Sequence, residues 1–318
     1  MKFAHIKTIL LLLILISCKN NDDIDYREEM RDFVISISNY TKQFNPNFII
    51  IPQNGQELIL DEGILQYKYI QAIDGTGRED LFYGYYGDDL PTPTEDKEFM
   101  LDYCIRFRDN NKVVMVIDYC YTKSKVDSSY NINQQYHFIS FAADHRELNN
   151  IPTYPANPIN ENSDNINKLS EAKNFLYLIN SENFNSKQDF INTVSQTNYD
   201  IIIMDLFHNY EQYTKTEIEQ LKTKKNGGKR LVICYVSIGE AEDYRYYWNN
   251  TWNIFKPSWL LKENPDWPGN YVVKYWDKDW QKIIYGKDNS YVKKVLEAGF
   301  DGVYMDIIDA FYYFEENE

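Results

Sequence analysis

Gly299-Phe-Asp-Gly-Val-Tyr-Met-Asp306-Ile-Ile-Asp309 contains a short apolar run, Val303 to Met305, that delivers Asp306 at its end. Upstream, Ser290 reads as a helix cap, and Tyr291, Val292, Val295 and Leu296 share one face until Gly299 stops the helix. Helix, glycine, buried strand, acid is the order of a parallel α/β unit. In a (β/α)8 barrel the residues at strand ends share one rim, the C-terminal face. One Asp after one strand is equally well a loop cap, so the rest of the chain has to decide.

The pattern recurs. Residues 26–44 read as an amphipathic helix with Met30, Phe33, Val34, Ile37 and Phe44 on one face. Residues 48–52 form a buried strand leading into Gln53-Asn54-Gly55-Gln56-Glu57. Residues 69–74 read as a second strand, feeding Gly75-Thr-Gly-Arg78-Glu79-Asp80. No Lys-Ser/Thr follows those glycines, so they are not a phosphate loop. A helix over 95–109, capped by Thr94, precedes Val113-Val-Met-Val-Ile117, which carries Asp118 and Tyr119 at its end. Residues 137–142 are a weaker strand candidate, and residues 149–168, rich in Asn and Pro, a long loop.

In the second half residues 175–179, 200–204 and 231–236 are strands, with Asp205 after the second and Ser237-Ile-Gly-Glu240 after the third. Ser186 with Asp189, and Thr214 with Glu217, open the intervening helices as capping boxes, the second helix closing at Gly227-Gly228. Residues 271–276 are one more strand candidate. Runs 137–142 and 271–276 are the weakest contenders for the eight places. Neither half has enough strands to close its own sheet, so residues 26–318 read as a single α/β domain, a (β/α)8 TIM barrel.

At the N-terminus Lys2, His5 and Lys7 precede an apolar run over 9–16 that is too short to span a bilayer and ends in Leu15-Ile16-Ser17-Cys18. This resembles the lipobox of bacterial lipoproteins, in which the cysteine becomes the lipidated first residue. Residues 1–18 are therefore expected to be a signal peptide with Cys18 the lipidation site, and residues 19–25 a polar tether. The expected address is the bacterial cell envelope, at the outer membrane or cell surface, with membrane contact through the lipid anchor only. Cys104, Cys120 and Cys234 make neither a disulfide framework nor a zinc site. A formal charge of −15 argues against nucleic acid and suits a neutral or cationic partner, though solubility accounts for it equally well.

Strand ends present Asp74 or Glu79, Asp118, Asp205, Glu240 and Asp306. On one barrel rim two such carboxylates can flank a glycosidic bond. One protonates the leaving oxygen, and the other attacks the sugar or activates water. No histidine except His208 is comparably placed, no Ser or Cys sits on a nucleophile elbow, and no acid spacing is metal-specific, so neither metal nor cofactor is expected. All 6 Trp residues fall between Trp248 and Trp280. Such a cluster packs a long loop or offers a wall for sugar faces, and Trp276, ending a strand, is the candidate to reach substrate. Arg245 among acids holds a carboxylate or binds a substrate hydroxyl.

Tyr235-Val-Ser-Ile-Gly-Glu-Ala-Glu-Asp-Tyr-Arg245, Asn264-Pro-Asp-Trp-Pro-Gly-Asn-Tyr271 and the Gly299–Asp309 stretch resemble glycoside hydrolase family 114. More closely they resemble its branch of extracellular glycosidases related to endo-α-1,4-polygalactosaminidases. Ile51-Pro-Gln-Asn-Gly-Gln-Glu57, Ile73-Asp-Gly-Thr-Gly-Arg-Glu-Asp-Leu-Phe-Tyr83 and Val116-Ile-Asp-Tyr119 resemble further blocks of that branch. In the family those three blocks follow the Asp306 motif; here they precede it, which implies a circular permutation. The resemblance implies Asp306 as nucleophile or base and Glu79 as general acid. Asp205, Glu240, Arg245, Asp118, Tyr119, Asn54 and Trp276 would then touch substrate. It implies a glycosidase acting on an extracellular or cell-envelope polysaccharide that contains galactosamine, and the chain is expected to be a monomer. The alternative is a barrel lipoprotein that binds glycans without cleaving them, and an amidase or deacetylase would need a metal cluster.

Overall fold

The structure is a computed structural model that describes residues 24–317. Cys18 and the expected signal peptide over residues 1–18 lie outside the described residues. Among the described residues no helix is long and apolar enough to cross a membrane.

Among the described residues eight strands run parallel to their ladder partners: β1 (Ile49–Pro52), β2 (Gly75–Glu79), β3 (Val113–Tyr119), β4 (Ile139–Ala143), β5 (Leu176–Tyr177), β6 (Ile201–Met204), β7 (Leu231–Ser237) and β8 (Gly302–Asp306). They form two parallel sheets, β2-β3-β4 and β1-β8-β7-β6-β5. A parallel bridge between Gln53 and Gly77 joins the sheets, with the Asp74 amide donating to the Ile50 carbonyl at 2.9 Å. At the other margin the Phe141 and Phe175 rings meet with centroids 5.9 Å apart. Strands covered on both faces read as continuous apolar runs, and Ile49–Ile51, Ile201–Met204 and Val303–Met305 are all buried.

Helices cover the outside. Helix Tyr26–Lys42 turns Met30, Phe33, Val34 and Ile37 inward, and the Asp25 carboxylate caps it by accepting from the Glu28 amide at 2.8 Å. Helix Tyr291–Ala298 buries Tyr291, Val292 and Val295 and ends at Gly299, whose φ of 84° suits the left-handed cap position. Thr214 and Glu217 form the expected capping box, but that helix ends at Leu221, before the two glycines.

Two expected strands are corrected. Residues 69–74 are not a strand: Tyr67–Ala72 is a helix, and the strand is the glycine-bearing Gly75–Glu79 that follows. A Cβ on Gly77 would overlap the Tyr304 hydroxyl, so Tyr304 of β8 fills the space that a β2 side chain would occupy. The run at 271–276 is strand Asn270–Val273, but it pairs antiparallel with Glu240–Glu242 and Leu260–Glu263 in a separate sheet. That small sheet follows β7 and leaves eight parallel strands; residues 137–142 supply β4.

Candidate active site

Parallel strands bring their C-terminal ends to one side, and a cavity of about 380 Å³ opens there. Its lining takes Gln53 from beyond β1, Glu79 from β2, Tyr119 from β3, Tyr177 from β5, Asp205 from beyond β6 and Asp306 from β8. Glu79 and Asp306, far apart in sequence, share this one space.

Glu79 is held by three donors. The Tyr119 hydroxyl donates to Oε1 at 2.5 Å, and the Gln53 and Asn54 amides donate to Oε2 at 2.6 and 3.2 Å. Gln53 is itself oriented, because its Oε1 accepts from the Tyr177 hydroxyl at 2.8 Å and so turns its amide nitrogen to Glu79. Asp306 has fewer donors: the Tyr235 hydroxyl at 2.6 Å and the Ile307 amide at 2.8 Å. Burial, and then the charge of Glu79, push the Asp306 carboxyl up to about 8. The protonated form of Asp306 is thus favoured at neutral pH.

This has a measurable consequence. A carboxyl whose pKa is raised on folding contributes stability that is fully present below its ordinary value of 3.8 and lost as pH rises through about 8. Asp306→Asn removes that loss. Its melting temperature relative to wild type is expected to climb by roughly 3 °C or more between pH 5 and pH 9, read by calorimetry. A gap that stays constant with pH would show that Asp306 is ionised throughout.

Beside the pair, the buried Arg245 guanidinium bridges Asp205 at 2.7 Å and Glu242 at 2.6 Å, and the Tyr244 hydroxyl donates to Glu242 at 2.6 Å. Burial pushes Asp205 up, while the two carboxylates hold the Arg245 guanidinium firmly charged. Of the two roles expected for Arg245, the geometry shows the first: it ties the end of β6 to the small antiparallel sheet. Glu240, raised by burial, lines the cavity and accepts from the Asn264 amide at 2.8 Å. Arg146, which also lines the cavity, stacks over the Tyr119 ring at 4.1 Å and pairs with Asp80 at 2.9 Å and Asp88 at 2.7 Å.

Asp306, Glu79, Asp205, Glu240, Arg245 and Tyr119 thus line one cavity. Three expected contacts do not. Asp118 is fully buried; its carboxylate accepts from the Phe82 and Tyr83 amides and from Ser129 and Asn133, so it pins a loop and a helix. Asn54 acts on Glu79 rather than lining the cavity. Trp276 packs between Tyr26 and Phe314, away from the cavity, and Trp267 is the tryptophan that lines it. Asp74 precedes β2 and accepts from the Ile50 amide, so it too is not at the rim. Gln53, Arg146, Tyr177, Tyr235 and Glu242 are site residues that strand-end acids alone did not mark. Gln53, Tyr235 and Glu242 nonetheless lie inside the motif blocks quoted above.

A sequence model of glycoside-hydrolase family GH114 matches residues 155–318, just over half of the 318 residues. The chain belongs to family GH114. It is 41% identical over 157 residues to an uncharacterized protein of Methanocaldococcus jannaschii, covering 49% of this chain and 42% of that one. It is 37% identical over 123 residues to an uncharacterized protein of Thermotoga maritima, covering 39% of this chain and 36% of that one. A Deinococcus radiodurans protein, also uncharacterized, is 40% identical over 124 residues, 39% of this chain and 38% of its own. The chain thus spans less than half the length of these relatives. In this GH114 chain the matched segment supplies Tyr177, Asp205, Glu240, Arg245 and Asp306, whereas Gln53, Glu79, Tyr119 and Arg146 come from outside it.

Proposed function

We propose that the chain hydrolyses glycosidic bonds in a polysaccharide carrying amino sugars such as galactosamine. The observation that supports this is the pair itself: a half-buried Asp306, its carboxyl pushed up to about 8, and a Glu79 held by three donors face one cavity. In this reading Asp306 gives its proton to the leaving oxygen while Glu79 attacks the anomeric carbon or takes a proton from water. That reverses the roles implied by the resemblance, because the donors gather on Glu79.

Charge favours a cationic sugar. The lining acids are Glu79, Asp205, Glu240, Glu242 and Asp306; the lining cations, Arg146 and Arg245, are each already matched by two carboxylates. Glu79 and Glu240 are left to meet a ligand, and a protonated amino group complements them. The test is release of new reducing ends from galactosamine and glucosamine polymers, acetylated and deacetylated. Binding with no new reducing ends would replace hydrolysis by glycan binding alone.

We also infer that the eight strands close as a (β/α)8 barrel in which the family's chain order is permuted. Three observations support it: the family match starts in the loop before β5, β1 lies between β8 and β2, and Arg27 pairs with Glu315 at 2.7 Å. The ends of the described residues therefore sit side by side. A chain opened between Ala156 and Asn157, with residues 317 and 24 joined by a short Gly/Ser linker, is expected to melt within about 5 °C of the original. Failure of this rearranged chain to fold would count against the closed barrel.

A further inference from the structure

A second trough, about 720 Å³ in volume, adjoins the cavity and shares Tyr244 and Arg245 with it. The Arg245 ion pairs form the partition, and Tyr244, 44% exposed, is the crest between the two spaces. The trough is lined by Phe207, Tyr210, Tyr246 and Trp248 together with the carboxylates of Glu182 and Asp243. Among the described residues neither carboxylate is paired with a Lys or Arg; Glu182 accepts from the Asn149 amide.

Two of its aromatic rings are held by hydrogen bonds. Tyr244 and Tyr246 are anchored by their hydroxyls, which donate to Glu242 at 2.6 Å and to the Asn289 carbonyl at 2.8 Å. Tyr210 stands at the tip of a hairpin formed by Phe207–His208 and Glu211–Gln212, whose base is tied by His208 to Ser181 at 2.9 Å. The Tyr210 ring is 81% exposed, so it is not part of the packed interior. Flat rings held open to water beside unpaired carboxylates suit sugar faces bearing amino groups.

We propose that this trough binds further sugar units of the same glycan, the chain crossing Tyr244 and stacking on Tyr210, so that long chains are gripped on both sides of the crest. The proposal rests on the polysaccharide reading above. The test uses the full chain carrying Asp306→Asn, which can hold ligand without turning it over, and α-1,4-linked galactosamine dimers and octamers. Adding Tyr210→Ala is expected to weaken octamer binding about threefold to tenfold by calorimetry and dimer binding far less. Tyr210→Phe, which keeps the ring, should bind the octamer like its parent. Equal loss for dimer and octamer, or no loss for either, overturns the trough. If the octamer effect appears but the wild type releases no reducing ends, the trough stands and hydrolysis falls. If the wild type cleaves and Tyr210 has no effect, the trough falls alone, and if the parent binds neither oligomer, both fall.

Discussion

Asp306→Asn and Glu79→Gln are each expected to lower turnover of an amino-sugar polymer by roughly 10²- to 10⁴-fold, the range general acid or base catalysis supplies. Both amides keep the shape of the side chain, so the Tyr235 and Tyr119 hydroxyls retain a partner and the fold should survive. The two variants should differ on a substrate with an activated aryl leaving group, which departs without needing a proton. Asp306→Asn should recover most of its rate on that substrate, because only proton donation has been lost. Glu79→Gln should stay slow, because the attacking or water-activating carboxylate is gone. The opposite pattern would restore the roles implied by the resemblance, with the proton passing from Asp306 to Glu79 when substrate enters. Wild-type turnover by either variant on the polymer would sink the two-carboxylate mechanism.

The largest effect on stability is expected away from the cleft, at Lys224. Lys224 and Asp200 are paired at 2.8 Å with both side chains wholly buried. The Lys224 ammonium also donates to the Asn162 carbonyl at 2.9 Å, and Asp200 accepts from the Lys173 amide at 2.9 Å and from Asn162 at 2.9 Å. The pair therefore ties the long loop over 149–168 to the start of β6. Lys224→Met leaves the Asp200 carboxylate buried without its counter-charge, a change that costs about 3–5 kcal/mol. A fall in melting temperature on the order of 10 °C should follow. The double variant Lys224→Met/Asp200→Asn should be more stable than Lys224→Met alone, since the orphaned charge is gone. Equal losses in the single and double variants would mean that lost packing, not charge, carries the effect.

Parallel strands made the sequence legible. A strand covered on both faces needs apolar residues at every position, so residues 201–204 and 231–236 stand out as runs, and a polar residue past the run marks the strand end. Asp205, Glu240 and Asp306 were found that way, and the helix signals around them follow from cap chemistry. β2 carries no such run, because Tyr304 reaches across from β8 and occupies its interior; the apolar residues just before it form a helix instead.

What the chain by itself determined, then, is the succession of helices and strands and the acids that end them, since local periodicity and capping depend only on neighbours in sequence. Which of two adjacent residues faces the cavity was left to the tertiary structure. Tyr119 reaches Glu79 while Asp118, one residue earlier, turns to Ser129 and Asn133, because successive side chains on a strand point to opposite faces and only the neighbouring layers say which face is which. The same holds for the choice of Trp267 over Trp276 and for Gln53, a neutral side chain that matters through the Tyr177 hydroxyl on one side of it and the Glu79 carboxylate on the other. Contacts of that kind join residues 26 to 124 positions apart, and no local pattern carries them.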